Sequence, residues 1–136
     1  RGPWLYPPAE TYVYHQNKVA LAKLFKETGV KTPATWVFQS LEEALSSKET
    51  LSFPVVIKDP YGFSSHGIRQ ASNWDEYTAA ISSFFAEVGQ GIEAIVQMKV
   101  VALREARVTY VDGKPFHGYW RIRKSLASAS AASNLG

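Results

Sequence analysis

A lysine and the loop that follows it have the residue types and the spacing to bind a polyphosphate. Lys58 ends an apolar and mostly β-branched run at residues 53–57, which is typical of a strand buried on both faces. The loop after it is rich in small and hydroxyl side chains, namely Gly62, Ser64, Ser65 and Gly67. Such residues offer hydroxyl groups and leave backbone N–H groups accessible to an anion. A Gly/Ser turn after a core strand, with the lysine at the strand end by chance, explains the pattern equally well.

Lys18 is a second candidate for contact with an anionic ligand. Asn17 is a suitable N-cap and Gly29 a suitable C′ residue, so the apolar spacing between them predicts a helix. Lys18 then lies in the first turn, where its positive charge opposes the helix dipole. This placement favours a ligand role, although a solvated lysine is the simpler interpretation of the residue alone.

Charged side chains also recur in the alternating segment at residues 104–111. Glu105 and Arg107 are two residues apart, so they point to the same face of a strand. A carboxylate suits a diol, and a guanidinium suits a phosphate oxygen. The alternative is an ion pair between the two, worth at most about 1 kcal/mol if it is exposed.

The elements that must position these residues follow the order helix, strand, helix, strand, loop, strand, helix, strand and hairpin. Capping-box patterns begin helices at Ser40 and Asn73, and Asp112-Gly113 indicates a tight hairpin turn. This order predicts an α+β fold with a mostly antiparallel sheet and flanking helices. The expected organisation is an extended aromatic and proline-rich lead-in at 1–14, a lobe with both lysines at 15–92, the start of a second lobe at 93–124, and a flexible Ser/Ala-rich tail at 125–136.

The composition excludes several classes of site. The chain has 136 residues, 46% of them hydrophobic, which is enough for a core. It has no cysteine, which excludes a disulfide, a thiol nucleophile and a Cys-ligated zinc site. The net charge of +3 contains no block of like charges, so an anionic small molecule explains it at least as well as a nucleic acid. Because there is no long apolar run and no signal-peptide pattern, we expect a cytoplasmic protein without a membrane partner.

The motifs, taken in order, resemble the nucleotide-binding region of the ATP-grasp superfamily, in particular the carboxylate–amine ligases of the ribosomal-protein-S6-modifying type. The resemblance runs from about His15 to about Arg123. It rests on the ordered set Asn17-Lys18, residues 29–33, residues 53–58 with the loop to Gly67-Ile68, Ile95-Val96-Gln97-Met98, residues 104–108, Asp112-Gly113 and Arg121. The resemblance implies an ATP-grasp fold of two lobes, with ATP and Mg²⁺ as cofactors.

The resemblance also implies a role for each candidate residue. Lys18 and Lys58 would reach the ATP phosphates, and a loop would close over them as a lid. This loop comprises Gly62, Ser64, Ser65, His66 and Gly67. The adenine edge would pair with backbone groups of the hinge residues Gln97, Met98, Lys99 and Val100. Glu105 would accept the ribose hydroxyls, while Arg107 and Arg121 would face the triphosphate or the acyl phosphate.

The sequence departs from the family pattern in two places. Met98 and Lys99 stand where relatives often carry an acid and then an aromatic or aliphatic residue, and Met98 could instead pack on the base. Such ligases hold magnesium with acids on a later strand, whereas the only acid after Arg107 here is Asp112. We therefore assign no metal ligand and expect the chain to be a piece of a longer protein or a degenerate relative.

The resemblance implies the ATP-binding part of an ATP-dependent ligase that converts a carboxylate into an acyl phosphate, which an amine then attacks. The substrates would be a small-molecule or peptide carboxylate and an amine, and no enzyme nucleophile would be needed. A non-catalytic nucleotide-binding module and an ATP-grasp kinase are the alternatives.

Overall fold

The computed structural model describes residues 9–62, 67–89 and 91–122. The helical elements are a 3-10 helix at Ala9–Tyr14, α1 at Lys18–Glu27, α2 at Leu41–Ser46 and α3 at Trp74–Val88. The strands are β1 at Thr35–Phe38, β2 at Val55–Lys58, β3 at Arg69–Ala71, β4 at Ala94–Met98, β5 at Arg104–Val111 and β6 at Lys114–Ile122. The chain divides into two compact units, the first ending at Lys99 and the second beginning at Val100.

A four-stranded sheet in the order β1-β4-β2-β3 forms the first unit, and all neighbouring strands are antiparallel. The predicted α+β fold with a mostly antiparallel sheet and flanking helices is confirmed. The expected boundary of the first lobe is residue 92. In the structure the first unit extends to Lys99, because β4 forms hydrogen bonds with both β1 and β2.

One face of this sheet carries the hydrophobic core. Side chains alternate along each strand, and partners across an antiparallel pair share a face. The buried residues of this face are Phe38, Val55, Ile57, Ala71, Ala94 and Val96. Tyr77, Ile81 and Phe84 of α3 are fully buried in the same cluster, as is Ala44 of α2. The opposite face carries the polar side chains of the site together with the buried Val56 and Ile95.

Side-chain caps begin the three α-helices where the sequence predicts them. Asn17, Ser40 and Asn73 each accept a hydrogen bond from the backbone amide three residues later. A carboxylate oxygen of Glu76 also accepts from the amide of Ser72, at 2.8 Å. Amides at the first turn of a helix have no partner within the helix, so these side chains define where each helix starts.

The second unit contains the β5–β6 hairpin. Its turn has φ of 51° at Asp112 and 69° at Gly113, the left-handed values that a two-residue hairpin turn favours. The register places Glu105 opposite Arg121 and Arg107 opposite Tyr119. The predicted hairpin is confirmed, and its register decides which charged side chains meet.

The N-terminal segment differs from the expectation where it is described, and the expected C-terminal tail lies outside the described residues. Residues 9–14 of the expected extended lead-in form a 3-10 helix instead. The prolines of this segment end at Pro8, and the amide of His15 closes the helix by donating to the carbonyl of Tyr12 at 3.0 Å. Residues 1–8 and the Ser/Ala-rich tail at 125–136 lie outside the described residues. No described helix is long and apolar enough to cross a membrane.

Replacing Asn73 by alanine is expected to lower the free energy of unfolding by about 1 kcal/mol, because the Glu76 amide loses its side-chain acceptor. Asn73→Ser is the control, since serine also caps helices and should retain most of the stability. Urea unfolding followed by circular dichroism measures both variants. Equal losses in the two would contradict the capping role.

Candidate functional site

Lys58 is the buried cation at the centre of the candidate site. It ends β2 and is 7% exposed, and among the described residues it is the only charged residue that is buried. Its Nζ donates a hydrogen bond to Oε1 of Gln97 at 2.8 Å. Burial, and after it the positive charge of Lys18, lowers the pKa of Lys58 from 10.5 to about 8. A cation in such a place is disfavoured by itself and is stabilised by an arriving anion.

Lys18 is bound to the start of the loop after β2. Its ammonium donates to the carbonyls of Asp59 at 3.2 Å, Pro60 at 3.3 Å and Gly62 at 2.7 Å. Its backbone amide also donates to the carbonyl of Pro60, at 3.2 Å. Burial lowers the pKa of Lys18, and the nearby charge of Asp59 opposes that change. The structure therefore does not support a solvated lysine, because this side chain joins the first turn of α1 to the loop.

The described part of the loop is a tight turn around the Lys18 ammonium. The amide of Gly62 donates to the carbonyl of Asp59 at 3.3 Å, and the amide of Tyr61 donates to Oδ1 of Asp59 at 2.8 Å. A Cβ added at Gly62 would lie 3.1 Å from Cβ of Asp59, so a larger residue would displace this turn. Gly67 has a positive φ of 79°. The candidate residues Ser64, Ser65 and His66 lie outside the described residues.

Gln97 connects Lys58 to a residue that the sequence analysis did not identify. Nε2 of Gln97 donates to Oγ1 of Thr35 at 2.8 Å, and Oγ1 of Thr35 donates to the carbonyl of Pro33 at 2.8 Å. Thr35 and Gln97 are direct partners in the ladder between β1 and β4. Only this register reveals Thr35, since it lies more than twenty residues from Lys58 in the sequence and belongs to no motif.

The hinge residues contribute backbone amides to the sheet. The amide of Met98 donates to the carbonyl of Ala34, and the amide of Lys99 donates to that of Pro54, both at 2.8 Å. The Lys99 ammonium donates to Oε1 of Gln70 at 2.8 Å. Any backbone pairing of an adenine edge with residues 97–100 must therefore use groups other than these two amides.

The candidate residues of the second unit share one face of the hairpin. Nη1 of Arg121 donates to Oε1 of Glu105 at 3.0 Å, and Nη1 of Arg107 lies 3.5 Å from the hydroxyl oxygen of Tyr119. The pKa of Arg107 lies above its ordinary value, chiefly because of this contact with Tyr119. Glu105 thus forms an ion pair across the hairpin with Arg121, and its charge also helps to raise the pKa of Arg107 on the same strand.

The structure brings three candidate residues together in the first unit and three in the second. Lys18, Lys58 and the side chain of Gln97 meet near the end of β2, whereas the second unit presents its two arginines and Glu105. Within the described ranges, no group of three or more His, Asp or Glu side chains could hold a metal ion.

An antiparallel sheet with a buried lysine at the end of one strand, beside a glycine-containing loop, is the arrangement expected of an ATP-grasp nucleotide-binding domain. Residues 17–106 match the family model described as carbamoyl-phosphate synthase L chain, ATP binding domain. Because the match covers more than half of the sequence, the chain belongs to this family of ATP-grasp domains. The predicted resemblance is confirmed at that level.

The proteins to which the chain is similar include ligases. It is 30% identical over 131 residues to the coenzyme gamma-F420-2:alpha-L-glutamate ligase of Methanocaldococcus jannaschii, covering 94% of this chain and 45% of that protein. The chain thus spans less than half of that curated relative. The D-alanine-D-alanine ligase of Helicobacter pylori has a TM-score of 0.62 and 19% identity over 87% of this chain and 38% of its own. A RimK domain protein, ATP-grasp, of Sphaerobacter thermophilus has a TM-score of 0.54 and 17% identity over 68% and 34%. These two structures share the fold.

Lys58→Met is expected to stabilise the chain at pH 7, because the folded state no longer holds a disfavoured ammonium. The lowering of the pKa from 10.5 to about 8 corresponds to a cost on the order of 3 kcal/mol, which the lost hydrogen bond to Gln97 partly offsets. Below pH 8 both the folded and the unfolded chain bind the proton, and the full cost is present. Between about pH 8 and pH 10.5 the folded chain releases the Lys58 proton more readily than the unfolded chain does. The cost therefore disappears as the pH rises.

The stability advantage of Lys58→Met should therefore be largest near pH 7 and should shrink towards pH 10. Urea unfolding across this range measures the difference from the wild-type chain. Lys23→Met, at an exposed position of α1, is the matched control and should change stability little at any of these pH values. A Lys58→Met advantage that is absent, or that grows with pH, would be inconsistent with a buried ammonium.

Proposed function

We propose that the chain is the ATP-binding part of an ATP-dependent carboxylate–amine ligase. The observation that carries the proposal is the buried Lys58 ammonium, whose positive charge is disfavoured both by burial and by the nearby charge of Lys18. A polyphosphate that approaches both lysines places negative charge beside their ammonium groups and stabilises them. The family match and the ligase activities of the named relatives support ATP as that polyphosphate.

In the proposed reaction, a carboxylate oxygen attacks the γ-phosphorus of ATP, and the bond to the β-phosphate oxygen breaks to release ADP. An amine then attacks the carbonyl carbon of the acyl phosphate, inorganic phosphate leaves, and the amine nitrogen loses its proton to give the amide. The contribution of Lys58 and Lys18 is to hold the phosphates and to neutralise charge on them, so no covalent enzyme intermediate is required.

Mg²⁺ is the expected companion of ATP in such a reaction because it neutralises and bridges phosphate oxygens. The described residues contain no cluster of three or more His, Asp or Glu side chains that fits the ion. We therefore assign no step of the reaction to a metal ligand of this chain. The carboxylate and amine substrates are proposed as small molecules or peptides, and the supply of ATP favours a location in the cytoplasm.

The remaining candidate residues have proposed roles that follow from the same function. Glu105 would accept hydrogen bonds from the ribose hydroxyls. Arg107 and Arg121 would face the triphosphate or the acyl phosphate. Their common face on the hairpin supports a shared ligand, since the register alone keeps all three side chains on one side. The loop residues Ser64, Ser65, His66 and Gly67 would close over the phosphates, and backbone groups of Gln97, Met98, Lys99 and Val100 would pair with the adenine edge.

Lys58→Ala is expected to weaken ATP binding by about tenfold or more, because a hydrogen bond between charged groups is lost. Lys23→Ala removes an exposed lysine of α1 and should change the dissociation constant by less than about twofold. Calorimetry with and without Mg²⁺ measures both variants. Similar effects of the two substitutions would remove the basis for a phosphate site at Lys58. If the parent protein binds ATP but forms neither an acyl phosphate nor an amide, the chain would be a non-catalytic nucleotide-binding module.

ATP affinity is also expected to fall as the pH rises from about 7.5 to about 9.5, because Lys58, with a pKa of about 8, loses its charge in this range. Binding of the polyanion favours the protonated amine, so calorimetry in buffers of different ionisation enthalpy should show proton uptake above pH 8. Lys58→Arg keeps its charge and should lose most of this dependence. Affinity that is constant with pH in the wild-type chain, without proton uptake, would argue against a role for the Lys58 charge.

A further inference from the structure

We propose that Thr35 is a positioning residue, which fixes the orientation of the Gln97 side-chain amide and thereby holds the Lys58 ammonium in place. The consequence for ATP binding rests on the function proposed above, whereas the effect on Lys58 itself does not. Thr35 lies at the start of β1, on an element that none of the motifs includes. No role in ligand binding is needed for Thr35, because it acts through Gln97.

The strand register brings the three side chains to one face of the sheet. Thr35 is the ladder partner of Gln97, and Gln97 is also the partner of Val56 on β2. Lys58 is two residues beyond Val56 and therefore points to the same face. Three strands that are distant in the sequence thus place a hydroxyl, an amide and an ammonium on one face of the sheet.

A continuous chain of hydrogen bonds joins these groups to the backbone. Oγ1 of Thr35 donates to the carbonyl of Pro33, Nε2 of Gln97 donates to Oγ1 of Thr35, and Nζ of Lys58 donates to Oε1 of Gln97. All three bonds are 2.8 Å long. A carbonyl can only accept and an ammonium can only donate, so the two ends set the direction of every bond between them.

The orientation of the Gln97 amide follows from this direction. The hydroxyl of Thr35 has one hydrogen, which it gives to Pro33, so towards Gln97 it can only accept. Gln97 must present its NH₂ group to Thr35 and therefore presents its oxygen to Lys58. The reversed amide would place N–H groups against the ammonium, donor against donor. Loss of the Thr35 hydroxyl removes the acceptor of the Gln97 NH₂ group, and with it one of the two hydrogen bonds that fix this orientation.

The charge of Lys58 is sensitive to this oxygen because the residue is only 7% exposed. An acceptor beside a buried ammonium stabilises its charged form, and a bond to an ion is stronger than one between neutral groups. The positive charge of Lys18 on α1 also lowers the pKa of Lys58, and the charge of Lys18 is itself balanced in part by Asp59. On β3, Arg69 is the partner of Ile57 and so lies on the opposite face.

The test uses three variants of the whole chain. Thr35→Val removes the hydroxyl at nearly the same volume, Thr35→Ser keeps it, and Thr28→Val is the matched control. Thr28 also donates its hydroxyl to a carbonyl, that of Leu24 at 2.7 Å, but at the exposed end of α1. Two quantities are measured. One is the pKa of Lys58 without nucleotide, from an NMR titration of ¹³C-labelled lysine assigned with Lys58→Arg. The other is the dissociation constant of ATP.

Thr35→Val is expected to lower the Lys58 pKa further and to weaken ATP binding by about tenfold. Thr35→Ser should restore both quantities to within about twofold in affinity, and Thr28→Val should change neither. If the hydroxyl only stabilised the fold, Thr35→Val would lower the melting temperature while the Lys58 titration stayed unchanged, and that result would overturn the proposal.

Two further outcomes must be distinguished: the wild-type chain does not bind ATP, or Thr35→Val does not fold. If the wild-type chain does not bind ATP, the proposed function fails, but the Lys58 titration in Thr35→Val still decides the role of Thr35. If Thr35→Val does not fold, Thr35→Ala removes the same hydroxyl without a new methyl group against Gln97, and the same criterion applies to it. A Lys58 pKa equal to that of the wild-type chain in this variant would reject the proposal.

Discussion

The burial of one ammonium group, that of Lys58, is the constraint on which the site depends. The strand that ends in Lys58 lies between two others, so the side chain emerges where water is largely excluded. The side-chain oxygen of Gln97 stabilises the charged form of Lys58, whereas the nearby charge of Lys18 destabilises it. The folded chain therefore holds a local excess of positive charge that a polyanion is suited to neutralise.

The two faces of the sheet separate stability from chemistry. The face against α2 and α3 is apolar, and burial of its side chains stabilises the fold. The other face carries Thr35, Gln97 and Lys58 together with the buried Val56 and Ile95. Lys18 connects α1 to the turn that follows Lys58, through three carbonyl oxygens. The Lys58 cation on this face lowers the stability of the folded chain, since burial disfavours its charge.

The fold is shared by ligases that join different substrates, as the names of the relatives show. A shared fold therefore does not identify the substrate. The hairpin register of the second unit holds Glu105, Arg107 and Arg121 on one face.

The sequence by itself determined the features that depend on neighbouring residues. These include the helix starts at Asn17, Ser40 and Asn73, the buried strand before Lys58 and the turn of the hairpin, because caps, turns and side-chain alternation act over a few positions. The ordered motifs also identified the superfamily.

Only the tertiary structure decided which distant groups meet. The contact of Lys58 with Gln97 spans 39 positions, that of Gln97 with Thr35 spans 62, and the Lys18 ammonium reaches carbonyls more than 40 positions away. Strand order and register create these contacts, and no local pattern encodes them. The lowered pKa of Lys58 has the same origin, because it depends on burial and on a charge from another element.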